Sequence, residues 1–346
     1  METSQLKSRD NAILRAVVNS YIETAEPVGS RAISKRYRFG LSPATIRNIM
    51  ADLEQMGFLE QVHTSSGRVP TDQGYRFYVD HLQDFPSLTS EEQQYIETGY
   101  CREPDELEDI LANTSRVLST VAHQCGIVMF PRVIDTIVKS FQIIRLRPRH
   151  YLVVLVGEPG LVYNRVIELE EDLVAETLDA MSRYLISEFQ GMSLGEIRAR
   201  ICERMARERE QYNVLLQRAM ELAERAIPTE EEPGELILDG TANILSYPEF
   251  TVDVEKMQRI FEALEEKAKL ILILDKCMSG KGMSILIGSE SQVQEMEGLS
   301  FILHPYEVGG RLAGWLGLFG PKRMYYPRNI AIVDYTAKTL SRILSQ

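Results

Sequence analysis

One stretch of this 346-residue chain, Leu41–Leu53 (LSPATIRNIMADL), constrains its fold more than any other. Serine at an N-cap accepts a bond from an orphan backbone N–H, and proline at the next position is pre-organised for a helix. Ser42-Pro43 therefore opens one. Ile46, Ile49, Met50 and Leu53 follow at i, i+3, i+4 and i+7 and are expected to share a buried face. Gly57 closes the helix as a C′ residue. The opposite face is left with Ala44, Thr45, Arg47, Asn48 and Ala51.

The flanks give that helix a context. Leu6–Thr24 has helical periodicity through Ile13, Leu14, Val17, Val18 and Ile22, with Pro27 just beyond its end. Gly29–Arg38 reads as a second short helix with Ser30 as N-cap, and Phe39-Gly40-Leu41 as a tight turn. After the third helix, Phe58–His63 alternates like a strand, Thr64–Arg68 is a turn, and Val69-Pro70 returns as the second arm of a hairpin. Thr71 or Asp72 then caps a closing helix, Gly74–Leu82. Helix–turn–helix followed by a β-hairpin is a winged helix, assigned to residues 1–83.

In such a module the second helix of the pair enters the DNA major groove. Arg47 would fork onto a guanine edge, Asn48 would bond adenine twice, and Thr45 would touch a thymine methyl or a phosphate, with Ser42 at the helix start. Ser30, Arg31, Lys35, Arg36 and Arg38 suit phosphate contacts, which set register without reading sequence. The wing residues Thr64, Ser65, Ser66, Gly67 and Arg68 suit close approach to a phosphate or a minor groove. Winged helices also serve as protein–protein modules, so the local pattern alone leaves that alternative open.

Charge sharpens the reading. The whole chain carries −12. Residues 1–80 hold ten Lys/Arg and nine Asp/Glu, whereas the remainder carries −13. The first segment is thus the part suited to a polyanion, and the acidic remainder disfavours indiscriminate DNA coating. The four cysteines lie far apart with no C-x-x-C, and the five histidines do not cluster, so neither a disulfide framework nor a metal site is expected. No nucleophile motif or phosphate loop is visible, which argues against an enzyme and leaves no catalytic or cofactor residue to name. Gly314, Gly317 and Gly320 are spaced three apart, a pattern that tight strand packing explains better than a nucleotide site.

The rest of the chain alternates in period. Asp84–Thr89 reads as a linker and Ser90–Gln124 as mostly helical. Strands occupy Asp135–Leu169, and helices about 170–227 with two apolar stripes, Leu173–Leu185 and Ile197–Met220. Glu235–Leu238 is expected to be a strand and Val254–Lys269 a helix. Leu270–Leu274, Met283–Gly288 and the Tyr306–Phe319 region are expected as strands, and Asn329–Leu344 as a helix. The helical stripes admit two readings, ordinary core or a dimer surface. Apolar runs such as Tyr151–Val156 are far short of the roughly 20 residues of a membrane span, and the first ten residues hold no apolar h-region, so a cytoplasmic location is expected.

The chain resembles the HrcA family of heat-inducible transcription repressors. The likeness runs through Pro27–Ser30, Leu41–Asn48, Met50–Glu54, Gly57–Leu59, His63–Thr71 and Gly74–Asp80, and resumes at Ile287–Glu290, Tyr306–Gly310 and Gly320–Tyr326. It departs at Ser66, Ser291 and Lys322, where the family pattern has Ala, Asn and Thr, and at Trp315–Phe319, where a plainer aliphatic run is expected. The resemblance implies an α+β multidomain protein: a winged helix-turn-helix domain at 1–83, a connecting segment at 84–125, a GAF-like domain at 126–169 and 270–346, and an inserted helical dimerising domain at 170–269. It implies a homodimer that represses chaperone operons by binding an inverted repeat called CIRCE on double-stranded DNA, with the chaperonin GroEL promoting its active form. The alternative is a winged-helix regulator whose GAF-like domain senses a small ligand.

Overall fold

The computed structural model describes residues 6–62, 67–82, 85–100, 107–130, 134, 136–158, 161–169, 172–207, 214–227, 236–251, 254–265, 270–271 and 282–345. The N-terminal unit is α1 (Ser8–Thr24), α2 (Ser30–Arg36), α3 (Pro43–Gln55), β1 (Leu59–Gln61), β2 (Arg68–Pro70) and α4 (Asp72–Asp80). Ile13, Leu14, Val17 and Val18 of α1, Ile33 of α2, and Ile46, Met50 and Leu53 of α3 are all buried in one core. Ile49 is only half-buried, at the edge of that face. α1 ends as Ala25 turns left-handed, its N–H donating to the Tyr21 carbonyl at 2.9 Å.

The second helix differs from its expected form. It spans Ser30–Arg36, its N-cap is Gly29, and Ser30 is its first helical residue rather than its cap. The cause lies in the neighbouring residue. Val28 exchanges two backbone hydrogen bonds of 2.9 Å with Arg68, as a third strand beside the wing, which holds the chain extended up to Gly29.

The C-terminal part is built on a five-stranded antiparallel sheet. Its elements are α5 (Ser90–Thr98), α6 (Leu107–Ala122), β3 (Cys125–Met129), β4 (Ile137–Arg147), β5 (His150–Glu158), β6 (Val162–Glu168), α7 (Ala175–Phe189), α8 (Leu194–Arg207), α9 (Val214–Ala226), β7 (Leu236–Asp239), α10 (Thr241–Leu245), α11 (Pro248–Thr251), α12 (Val254–Glu265), β8 (Ser284–Ile287), β9 (Leu299–Val308), β10 (Arg311–Pro321) and α13 (Tyr326–Leu344). The sheet order is β7-β3-β10-β9-β8. Side chains alternate across it. Val128, Ile302, Leu316 and Leu318 face α6 and α13, while Ile127, Met129, Phe301, Leu303 and Phe319 face the core shared with α10–α12.

β3 lies inside the sheet and is buried throughout, so it carries no period-2 signature and was not expected as a strand. Leu270 and Ile271, expected to open a strand, are helical and buried, and residues 272–274 lie outside the described residues. The glycines at 314, 317 and 320 sit in β10, where the register against β9 slips between Leu312 and Gly314. A Cβ at Gly317 would overlap the Ile302 carbonyl, so close strand packing accounts for that residue.

The second sheet, β4-β5-β6, belongs to another body. Phe141, Ile143, Tyr151, Val153 and Ile167 share a core with Met181 and Leu185 of α7, Ile197 and Ile201 of α8, and Ala219, Leu222 and Ala223 of α9. Strand β7 and helices α10–α12 share theirs with the five-stranded sheet. The expected limits at 169/170 and 269/270 therefore cut through two continuous cores. The inserted unit runs from about residue 134 to 227 and contains its own sheet. The described stripe residues Leu173, Leu178, Met181, Leu185, Ile197, Ile201 and Met220 are buried in this unit's own core. Tyr212 of the second stripe lies outside the described residues.

The winged helix is bolted to the five-stranded sheet through α4. Asp72 accepts hydrogen bonds from the backbone N–H and Oγ of Ser289, both at 2.9 Å, and from Lys322 Nζ at 2.5 Å. Arg76 forks onto Glu290 at 2.8 and 2.5 Å and also donates to the Ile285 carbonyl. Burial pushes the Asp72 carboxyl up, but the bonds from Lys322 and Ser289 more than reverse this and hold it below the ordinary aspartate value. A depressed native value means that the unfolded chain takes up this proton first. The contact's stabilisation is complete above about pH 4 and fades as pH falls through the lower native value. Asp72→Asn is expected to flatten the loss of thermal stability on acidification below about pH 4. An unchanged melting temperature–pH curve would count against this assignment.

Candidate nucleic-acid interface

The residues expected to read DNA occupy one exposed surface of α3. Ser42 caps the helix, its Oγ accepting the Thr45 N–H at 3.1 Å and lying 2.9 Å from the Thr45 hydroxyl. Thr45's hydroxyl is thus engaged by the cap. Ala44, Thr45, Arg47 and Asn48 are exposed, while Ile46 between them is fully buried. Arg47 and Asn48 make no side-chain hydrogen bond or ion pair among the described residues, so their donor and acceptor groups face solvent. Gln55 is exposed too and extends the row Asn48–Ala51 by one turn. That position was missed in the sequence, although its spacing from Asn48 gives it away.

The basic residues expected on phosphates divide into two groups. Arg31, Lys35 and Arg38 are exposed on or just after α2, and Ser30 is half-buried at its first turn. Arg36 is exposed but forms an ion pair with Glu23 of α1, while its guanidinium lies 5.8 Å from the Tyr37 ring centroid. Tyr37 and Phe39 stack at 5.6 Å and shape the turn that leads into α3. The end of α2 is therefore tied to α1, and Arg31, Lys35 and Arg38 are left exposed.

The wing is a short antiparallel ladder, Leu59↔Pro70, Glu60↔Val69 and Gln61↔Arg68. Its expected tip residues Thr64, Ser65 and Ser66 lie outside the described residues, whereas Gly67 is half-buried at the base. Arg68, expected on DNA, points inward instead. Its Nε donates to Glu54 at 2.8 Å, with only 15% of its side chain exposed. Glu54 sits in the last turn of α3, so this pair ties the wing to the end of that helix. Charge counting could not reveal it, because the partner is 14 residues away and belongs to a different element.

The remaining chemistry is sparse. Among the described residues no group of three or more His, Cys, Asp or Glu side chains could hold a metal ion. Cys125 is buried, and burial pushes its thiol well above the usual range. No described helix is long and apolar enough to cross a membrane.

Comparison with known proteins agrees with this geometry at both ends of the chain. A family model described as the winged helix-turn-helix transcription repressor, HrcA DNA-binding, matches residues 5–81. A second, described as the HrcA protein C terminal domain, matches residues 108–330. The heat-inducible transcription repressor HrcA of Geobacter sulfurreducens is 44% identical over 341 residues, and that of Syntrophobacter fumaroxidans 42% over 344, each alignment covering 99% of both chains. A crystal structure described as that of a hypothetical protein superposes over 99% of both chains with a TM-score of 0.62 at 22% identity, which supports the fold. By its two matched domains and its full-length relatives, the chain belongs to the HrcA family of heat-inducible transcription repressors, which are DNA-binding regulators and not enzymes.

Proposed function

We propose that two copies of this chain place α3 in successive major grooves of an inverted-repeat operator, CIRCE, and so repress chaperone operons, with the chaperonin GroEL promoting the binding-competent form. The observation that carries this reading is the exposed, unpartnered row of Arg47 and Asn48 on a helix whose other face is locked in the core. Base edges in the major groove are recognised by such forked donors. Arg31, Lys35 and Arg38 would set the register on phosphates, with Ser30 at the same helix end and the wing tip on the adjacent backbone. In this reading the five-stranded sheet with helices on both faces is a GAF-like domain that carries the dimerising insertion.

A single winged helix reads few base pairs, so a symmetric pair is needed for affinity. The surface that fits pairing is the outer face of β4-β5-β6. Cross-strand neighbours Ile144, Leu152 and Val166 form one row, and Val156 and Val162 are neighbours in another. Ile144 is 44% exposed, Val166 55% and Val162 59%. Between the rows stand Gln142, Val154 and Asn164, so the middle of the face holds no charge. Exposed apolar rows with no charge between them fit the charge-depleted centre of a protein interface, and an isologous contact needs only one such patch per copy.

The test is a mobility-shift titration of an inverted-repeat duplex with and without chaperonin. Saturable, repeat-specific binding that the chaperonin strengthens is expected. Equal affinity for random duplex would overturn the reading. Within it, Arg47→Ala is expected to cost roughly 1–3 kcal/mol and relax one base position, whereas Arg31→Ala should weaken all sequences and reduce the salt slope by about one. Parallel losses of both variants on operator and random DNA would erase the distinction between reader and positioner.

A further inference from the structure

Helix α4 touches both halves of the molecule. Its cap residue Thr71 donates its hydroxyl to the Gly57 carbonyl at 2.6 Å, the residue that ends α3. Thr71 N–H donates to the Phe58 carbonyl at 3.2 Å, and the rings of Phe58 and Phe77 meet edge-on at 5.2 Å. Gly74 lies so close to Phe58 that a Cβ there would overlap its carbonyl oxygen. One side of α4 is therefore fixed to the C-terminal end of the recognition helix.

The other side is fixed to the five-stranded sheet. Asp72 and Arg76 are one turn apart on α4, and both are held by the segment that follows the edge strand β8, Asp72 by Ser289 and Arg76 by Glu290. Lys322 reaches Asp72 from the end of β10. Tyr75 between them is 1% exposed, with its ring 6.1 Å from that of Tyr326. These contacts join residues more than 200 positions apart, and they account for the stretch Ile287–Glu290, which has no contact with the reading surface. Surface ion pairs contribute little to stability, but a bidentate, part-buried fork fixes an angle.

We propose that Asp72 and Arg76 are operator-positioning residues: through α4 they set the angle of the recognition helix against the C-terminal body, and hence the spacing between the two recognition helices of a dimer. Neither side chain needs to touch DNA. A rigid arm is what makes the second half-site's binding intramolecular at the correct distance, and a loosened arm lowers the effective concentration there. Lys322, where the family pattern has Thr, adds to this chain an ion pair that a threonine at that position could not form.

The proposal rests on the dimeric reading above, and the experiment separates the two. Full-length wild type, Arg76→Gln, Asp72→Asn and the conservative Arg76→Lys are titrated against three duplexes: the inverted repeat, a single half-site, and repeats with altered spacing. Arg76→Gln is expected to lose about 10-fold or more on the inverted repeat while keeping half-site affinity within about twofold, and to tolerate altered spacing better. Arg76→Lys, which keeps the charge and a donor, should retain more of the affinity and spacing preference than Arg76→Gln. Arg76→Gln or Asp72→Asn that stays folded and keeps wild-type affinity and spacing preference overturns the proposal. Parallel losses on half-site and repeat overturn it too, since these would mark a purely structural role for the winged helix. Should Arg76→Gln not fold, Asp72→Asn and Glu290→Gln probe the same contact from each side. A wild-type chain that binds half-site and repeat equally removes the dimeric reading and this proposal with it.

Discussion

Replacing Ile144 and Val166 together by aspartate is expected to yield a folded monomer whose affinity for an inverted-repeat operator is lower by at least about 100-fold. The two residues flank Leu152 in one cross-strand row of the outer sheet face. Both are about half exposed in the single chain, so a carboxylate at either position points into water and costs the monomer little. In a symmetric pair through this face the same positions would be covered by the partner's copy of the patch. Four carboxylates would then be brought out of water without partners, which no interface of this kind tolerates. Binding to a lone half-site should be nearly unchanged, because α3 belongs to a core separate from that of β4–β6. Sedimentation or light scattering reads the oligomeric state, and the same sample reads operator affinity. A variant that remains dimeric would move the interface elsewhere.

The outer face was hard to find in the sequence for a physical reason. Tyr151–Val156 (YLVVLV) reads as a continuous apolar run, the pattern of a strand covered on both faces. Only the structure shows Tyr151, Val153 and Leu155 in the core while Leu152, Val154 and Val156 stand half-open on the other side. The helical stripes carried the opposite ambiguity, and their described residues lie in the core. What could be read from the sequence was local chemistry. The caps Ser42 and Thr71, the turn at Gly57 and the buried face of α3 depend on neighbours within a few residues, and each is in place. What could not be read depends on distant pairing. The sheet order brings β3 beside β10, about 190 residues later, and the Arg68–Glu54 and Arg76–Glu290 pairs join residues with no common periodicity. The limit expected at 169/170 misses for the same reason, because β4–β6 and α7–α9 form one core although a change of period separates them.

Gly74 offers the sharpest case of a distant contact overriding a local rule. Glycine inside a helix is worse than alanine by about 1 kcal/mol, so propensity alone predicts that Gly74→Ala stabilises α4. The structure predicts the reverse. The added Cβ would overlap the Phe58 carbonyl oxygen, and a backbone atom cannot rotate away as a side chain can. Forced overpacking costs about 1–3 kcal/mol, and with backbone on one side the upper end applies, so a net loss of about 2 kcal/mol is expected after the propensity gain. Relief by moving α4 outward would stretch the Thr71–Gly57 bond and part the Phe58 and Phe77 rings, freeing the end of the recognition helix. Operator affinity should then fall along with the melting temperature. Gln73→Ala, one residue away and exposed, serves as the control for helix propensity without the overlap. A melting temperature for Gly74→Ala at or above that of the wild type would mean that α4 can shift freely against Phe58, and the rigid connection from α3 to the five-stranded sheet would no longer hold.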